Sequence, residues 1–326
     1  MSISRTLTHC VCSLIMAVLA APAIAQLPPV QTTQAPGFYH RAIGDFTVTA
    51  IYDGPSHLSP ELLSGASQKD IKALLENNFT SNTAINSFLV HTNKNLILID
   101  TGSGACLGQD LGKLSKNIRA AGYELEQIDT ILLTHLHPDH VCGLIDADGQ
   151  PVFKSAQVYV SKIEADFWLD PKQAAKAHKS EQGAFTLAGK SLAPYQVQKR
   201  LHLFTAGDNS LPAGFKAVPT PGHTLGHTSF LVESKGKSIL IWGDIVNSYA
   251  VQLARPDVAI VFDYDSMQAN ATRKKVLADA VKDKRWIAGA HLPFPGIGHV
   301  RKADHGYSWL PAEYAPIETQ KMKCLK

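Results

Sequence analysis

The stretch THLHPDHVCG, Thr134 to Gly143, packs three histidines and an aspartate into the six positions from His135 to His140. It follows the apolar run Ile131-Leu132-Leu133, so the histidines emerge at the C-terminal end of a central strand, the sheet edge where ligands commonly bind. His135 and His137, two apart in extended chain, point to the same side and can grip one ion through imidazole nitrogens. Pro138 then bends the chain. Asp139 and His140 are neighbours whose side chains diverge, poorly placed to complete the same ion's shell and well placed to begin a second. The spacing predicts two metals. By chance H-x-H-x-D-H would arise in roughly one chain in a thousand of this length.

Two ions need more ligands, and loop positions after strand-like runs supply them. His223 stands in PTPGHTLGHTS, Asp244 closes SILIWGD, and His291 ends WIAGAH. With His135, His137, Asp139 and His140 they form a set of five histidines and two carboxylates, which suits a pair of divalent ions. Behind the ligands, Asp100 ends NLILID, and an acidic group there does not stay buried without partners. It orients a ligand histidine, as do Asp53 or His227, with turn capping the equally weighted alternative. Cys142 is expected to be a small buried helix residue, because the ligand set is full without it.

The 326 residues, 45% apolar, can bury one large domain or two small ones. A net charge of +3, with no basic cluster longer than Arg273-Lys274-Lys275, gives no reason to expect nucleic acid. The apolar run Cys10 to Ala21, closed by Ala23-Ile24-Ala25, makes residues 1–25 a signal peptide cleaved after Ala25. It is shorter than the ~20 residues of a membrane span, so no stable membrane insertion is expected. The protein would be exported, to the periplasm or the medium. Cys106, Cys142 and Cys324 then remain, an odd number without framework spacing, and no disulfide is expected. Residues 26–44, rich in Pro, Gln and Thr, are expected to be a loosely held arm. From residue 45 to the end no linker divides the chain. Strands are expected at Asp45–Tyr52, Ala84–His91, Asn95–Asp100, Thr130–Leu133, Val158–Val160, Phe230–Glu233 and Ser238–Trp242. Helices are expected at Asp110–Ala121 and Ser266–Lys282. Two groups of strands with helices between them imply two sheets covered outside by helices.

In their order along the chain, THLHPDH, PGHTLGHT, GD and AHLPFPGIGH resemble the metallo-β-lactamase fold superfamily. GDFTVTAIYDG, LGKLSKNIRAAGY, EADFWL and HLPFPGIGH are similar, more narrowly, to its methyl parathion hydrolase and lactonase-like group. The resemblance implies an α/β fold, an αββα four-layer sandwich, with the site between the two sheet edges. It implies one ion on His135, His137 and His223, another on Asp139, His140 and His291, and Asp244 bridging them. Both would be divalent, with zinc first among the candidates. A water between them would become the nucleophile, with Asp244 and Asp139 as the catalytic carboxylates and Asp139 also assisting proton transfer. The substrates implied are small apolar esters, lactones and organophosphate triesters. By motif position Leu58, Trp168, Phe185 and Phe262 line the pocket. Leu107 and Asn247 stand where the group carries phenylalanine and leucine, a smaller and more polar wall that favours esters and lactones over aryl phosphotriesters. Relatives suggest a homodimer, although no sequence stripe shows one. A β-lactamase is the weaker expectation, since such enzymes generally lack the bridging aspartate. An exported zinc-binding protein without turnover would need a filled shell with no open position.

Overall fold

The computed structural model describes residues 27–80, 82–208 and 210–317. The expected signal peptide, with Cys10 and Cys12, and Cys324 lie outside the described residues. Residues from Pro36 onward make one compact unit. Residues 27–35 belong to a separate unit; they are exposed and carry no helix or strand.

In chain order the first half contains β1 (Phe38–Ile43), β2 (Phe46–His57), the two-residue β3 (Leu63–Ser64), α1 (Gln68–Asn77), β4 (Asn82–His91) and β5 (Leu96–Ile99). After these come α2 (Leu114–Ala120), β6 (Thr130–Leu132), α3 (Pro138–Val141), β7 (Gln157–Ser161), α4 (Lys162–Trp168), α5 (Pro171–Lys176), α6 (Gln182–Val197) and β8 (Leu201–Phe204). The second half contains β9 (Phe215–Pro219), β10 (Thr228–Ser234), β11 (Lys237–Ile241), α7 (Tyr249–Gln252), β12 (Ala259–Ile260), α8 (Ser266–Lys282), β13 (Trp286–Ala288), β14 (Ile297–Lys302) and β15 (Tyr307–Pro311). Among the described residues the strands form a seven-stranded sheet, β1-β2-β4-β5-β6-β7-β8, a six-stranded sheet, β15-β14-β13-β11-β10-β9, and the short pair β12-β3.

Period-two alternation sets the layers. Along β5, Ile97 and Ile99 point into the core between the sheets, while Leu96 and Leu98 pack with Leu114 and Ile118 of α2. Both faces of this strand are therefore buried, as its uninterrupted apolar run requires. Leu192 and Tyr195 of α6 and Trp168 of α4 join that outer layer. The other sheet meets Phe88, Val90 and Leu132 with Phe230, Val232 and Ile239 in the central core, and Val276, Leu277 and Ala280 of α8 cover its far side. The order is helix, sheet, sheet, helix.

Strand direction places the site. β5 and β6 are parallel neighbours, so their C-terminal ends lie side by side and deliver Asp100 and His135 to one edge. β11 and β13 repeat the device in the other sheet and deliver Asp244 and His291. β10 runs antiparallel to β11, so the loop before it, carrying His223, comes to the same end.

Three expectations change. Residues 38–43 are not part of a loose arm: they pair with β2 from Phe38↔Ile51 to Ile43↔Phe46 and close the sheet edge. The helix expected from Asp110 starts only at Leu114, because Gly112 takes φ +77 and Asp53 accepts hydrogen bonds from the N–H groups of Ser103, Gly112 and Leu114. Finally, Cys106 and Cys142 form a disulfide, with Cα atoms 6.1 Å apart. Backbone contact brings them together. The N–H of Gly143 donates to the carbonyl of Gly102, and a Cβ at Gly143 would collide with the carbonyl of Thr101.

Candidate metal centre

β6 ends at Leu132, the chain bends at Thr134, and it is extended at His137, whose φ and ψ are −69° and 153°. Pro138 opens α3, the position where proline's missing N–H costs nothing. His135 and His137 therefore lie ahead of the helical turn and Asp139 and His140 on it, which turns the two pairs toward different points.

The donor atoms converge. His137 Nδ1 lies 3.1 Å from His135 Nε2 and 3.0 Å from His223 Nε2. A single proton on His137 Nδ1 cannot satisfy both facing nitrogens, whereas an ion bound at ~2.0–2.1 Å holds its ligands about 3.3 Å apart. Asp139, His140 and His291 form a second set: Asp139 Oδ2 is 3.5 Å from His140 Nε2 and 3.3 Å from His291 Nε2. Each set has ligand atoms lying within 4.8 Å of one another, and His135, His140 and Asp244 form a third such group. Asp244 stands between the first two. Its Oδ2 is 3.3 Å from His223 Nε2 and 3.0 Å from His291 Nε2, and its Oδ1 is 3.1 Å from His140 Nε2. That last pair is buried without hydrogen-bond geometry, as two donors aimed at a common ion would be. These residues fit a pair of metal ions.

Charge follows from burial. Desolvation pushes His135 well below the ordinary histidine range and His137 to about 3, in both cases with help from neighbouring histidines. Burial also opposes charge on His223 and His291, but Asp244, with Asp263 for the first and Asp139 for the second, outweighs it and raises them to about 9 and about 10. His140 goes up for the same reason, with Asp244, Asp139 and Asp100 around it. Burial pushes Asp139 and Asp244 upward, yet the facing imidazoles overcome it and hold both carboxylates below their usual range. A cluster that keeps its carboxylates ionised and attracts cations is ready to exchange protons for metal.

Asp100 holds His140 in place: its Oδ2 meets His140 Nδ1 at 2.8 Å, while the N–H and Oγ1 of Thr134 donate to its two oxygens. To reach both it takes φ +60, which aspartate tolerates better than most residues. His227 acts on the backbone instead, its Nε2 accepting from the N–H of Asp244 and its Nδ1 meeting Thr220. Asp53 caps the 103–114 turn and touches no ligand.

The pocket residues divide. Trp168 stacks edge-on to His137, ring centroids 5.2 Å apart, so it borders the site, while Phe185 packs on Trp168 at 4.5 Å and lies behind it in the outer core. Asn247 is buried and donates from Nδ2 to Asp244 Oδ2 at 2.9 Å, which makes it a support of the carboxylate. Leu58 packs in a separate cluster with Leu63, Ile71 and Val251. Leu107, next to Cys106, and Phe262, next to Asp263, are about half exposed. Sequence inspection missed Glu164, whose buried carboxylate accepts from the Leu136 and Gly226 N–H groups and from Thr224, tying the two histidine loops together. It also missed Asp263, whose Oδ1 meets His223 Nδ1 at 2.9 Å. EADFWL and VFDYD contain them, but neither has a spacing that distinguishes a support from a turn acid.

Residues 81–291 match the family model described as Metallo-beta-lactamase superfamily. A solved hydrolase in the β-lactamase superfamily, AbOPH, is 44% identical, with a TM-score of 0.83 over 87% of this chain and 100% of that one. AidC, described as a dizinc quorum-quenching lactonase, is 29% identical with a TM-score of 0.79, over 86% of this chain and 99% of its own. An N-acyl homoserine lactonase from a Bacillus species is 26% identical across 223 residues, 63% of this chain and 79% of that protein. A probable metallo-hydrolase of Mycobacterium tuberculosis is 25% identical over 175 residues, 48% of this chain and 54% of its own, so the match spans about half of that relative's length.

Proposed function

The chain belongs to the metallo-β-lactamase superfamily, and from that premise we propose that it hydrolyses neutral, apolar lactones and carboxylic esters with two divalent ions, zinc first. His135, His137 and His223 would hold one ion, Asp139, His140 and His291 the other, and Asp244 would belong to both. The observation that carries this proposal is Asp244 itself, one carboxylate within 3.3 Å of imidazoles from both sets. Bound there, the ions supply Lewis acidity and make water a nucleophile near neutral pH.

The protein's own groups supply position and proton handling. Trp168, backed by Phe185, gives an apolar wall beside His137, where the acyl part of an ester would lie. Asp139 is the carboxylate of the set that reaches toward solvent, at 20% side-chain exposure. Its low pKa comes from charged His140 and His291 acting against burial. With those imidazoles as neutral ligands the ion's own charge would replace theirs and keep Asp139 ionised, so it would accept the proton of the attacking water and relay it to the leaving alkoxide. The relation to AidC and to the Bacillus lactonase supports lactones over other esters. Export belongs to the same proposal, supported by the Cys106–Cys142 disulfide, which oxidising compartments favour.

The test is a parallel measurement of kcat/KM on an aromatic lactone, a simple aryl ester and a dimethyl aryl phosphotriester, with and without chelator. The lactone or ester is expected to lead the triester by tenfold or more, about 1.4 kcal/mol of transition-state discrimination, and chelator should abolish all three activities. A lead for the triester would refute the substrate assignment, and activity that survives metal removal would refute the mechanism.

A further inference from the structure

We propose that Arg273 is a positioning residue that governs metal retention at the His135/His137/His223 set, acting through Asp263 on His223. The inference rests on the two-ion assignment and goes beyond it.

Each set contains one histidine backed by a carboxylate. In the Asp139/His140/His291 set it is His140, whose Nδ1 meets Asp100. In the other it is His223, whose Nδ1 meets Asp263. His135 and His291 are backed by neutral groups instead: His135 Nδ1 meets Thr134 Oγ1 at 3.0 Å, and His291 Nδ1 meets the Ala84 carbonyl at 2.9 Å. A carboxylate behind an imidazole fixes the ring and raises its strength as a ligand, so these two acids decide how firmly each set holds an ion.

The two acids are themselves held differently. Asp100 sits at a strand end, tied twice by Thr134. Asp263 sits in a loop between Phe262 and Tyr264, both more than half exposed, and its Oδ2 is anchored by the Ile260 N–H and by Arg273 Nη2 at 3.6 Å. Arg273 comes from the middle of α8 and is 1% exposed. Its Nε donates to the Ile245 carbonyl at 2.7 Å, and its Nη1 donates to the Val258 carbonyl at 2.8 Å and to Asn270 Oδ1 at 2.7 Å. One guanidinium thus joins the residue after Asp244, the segment leading to β12 and the acid behind His223. A buried charge is a poor way to gain stability alone, because apolar packing of similar volume serves as well. Its planar fork is suited to fixing several groups at set angles. Among the described residues Arg273 meets Ile245, Pro256, Val258, Asn270 and Asp263, and none of these leads to Asp100 or Ala84, so the second set keeps those supports.

The experiment follows zinc content after gel filtration and the visible spectrum of cobalt-loaded protein titrated one equivalent at a time, alongside Tm, for wild type, R273M, R273K, D263N and D100N. The wild type is expected to hold two equivalents. R273M should lose one, with that step weakened at least tenfold, and D263N should lose the same spectral component. R273K, which keeps the charge without the fork, should fall between. D100N should lose the other component. The proposal is overturned if R273M keeps both equivalents at wild-type affinity, or loses both in step with its Tm as a purely structural residue would. If R273M does not fold, R273K decides: a weakening of the same single step that D263N removes, with Tm kept, supports the proposal, and two equivalents at wild-type affinity overturn it. A wild type that binds fewer than two equivalents sinks the two-ion assignment as well. Failure of the variants with two equivalents in the wild type leaves that assignment intact.

Discussion

Breaking the Cys106–Cys142 bond should destabilise the protein far more than it loosens the metal. The bond closes a loop of 36 residues, for which the chain-entropy model gives a stabilisation of about 4 kcal/mol. In a domain of this size each kcal/mol moves Tm by roughly 2–4 °C, so reduction should lower it by on the order of 10 °C. His140, two residues before Cys142, is held by other means: the Thr101 N–H and Oγ1 both donate to the His140 carbonyl, at 2.8 and 2.9 Å, and Asp100 grips its ring. These contacts lie on the ligand side of the disulfide and survive its loss. Thermal denaturation of metal-loaded protein with and without reductant should therefore show the drop, while zinc content before the transition stays at its oxidised value. A double serine variant at both positions should match the reduced protein. An unchanged Tm in protein shown by peptide mapping to be reduced would refute the entropic reasoning. Early zinc loss would refute the claim that Asp100 and Thr101 suffice.

Asp244→Ala should lose at least one ion and bring kcat/KM down a hundredfold or more; full activity would refute the shared carboxylate. Asn247→Leu removes a buried hydrogen bond to Asp244 and should cost about 1–3 kcal/mol of stability. It should lower kcat on the lactone with KM little changed, and a change confined to KM would return Asn247 to the pocket wall. His223 and His291, raised to about 9 and about 10, are protonated in the metal-free protein at pH 7.5 and must be neutral to bind. Metal uptake should therefore release protons, and affinity should rise with pH until those values are passed. Calorimetry in buffers of different ionisation enthalpy reads this directly, and a buffer-independent enthalpy would contradict it.

The residues of the candidate centre were legible because an ion's demands are dense and local, and these residues do converge. Two imidazoles on extended chain, a proline and a second pair on the following turn cannot easily be anything else, and the apolar runs before Asp100, His135 and Asp244 marked the strands that carry them. α8 was legible to its ends, Ser266 and Lys282, with Asp265 capping it. The first strand was hidden by composition. FYHRAI is short, and the Pro- and Gln-rich residues before it dominate any window that includes it.

What stayed illegible is whatever depends on elements far apart in sequence meeting in space. Cys106 and Cys142 pair because Gly143 lets the turn after α3 lie against the loop after Asp100, and no cysteine spacing encodes that approach. Asp263 and Arg273 each resemble ordinary surface charges in sequence: one lies in a loop between aromatics, the other begins the Arg-Lys-Lys run. Burial separates them from that class, since Lys274 and Lys275 are exposed while Arg273 is enclosed. Ligands can be read locally because their geometry is set by one ion. Their supports arrive from whichever strand end or helix face the sheets bring near, so a ligand motif can be complete while the affinity of each metal position is decided elsewhere. In this protein that division falls between the Asp100 contact, delivered by the strand beside His135, and the Asp263–Arg273 contact, delivered by a loop and a helix more than forty residues after His223 in the case of Arg273's end of the relay.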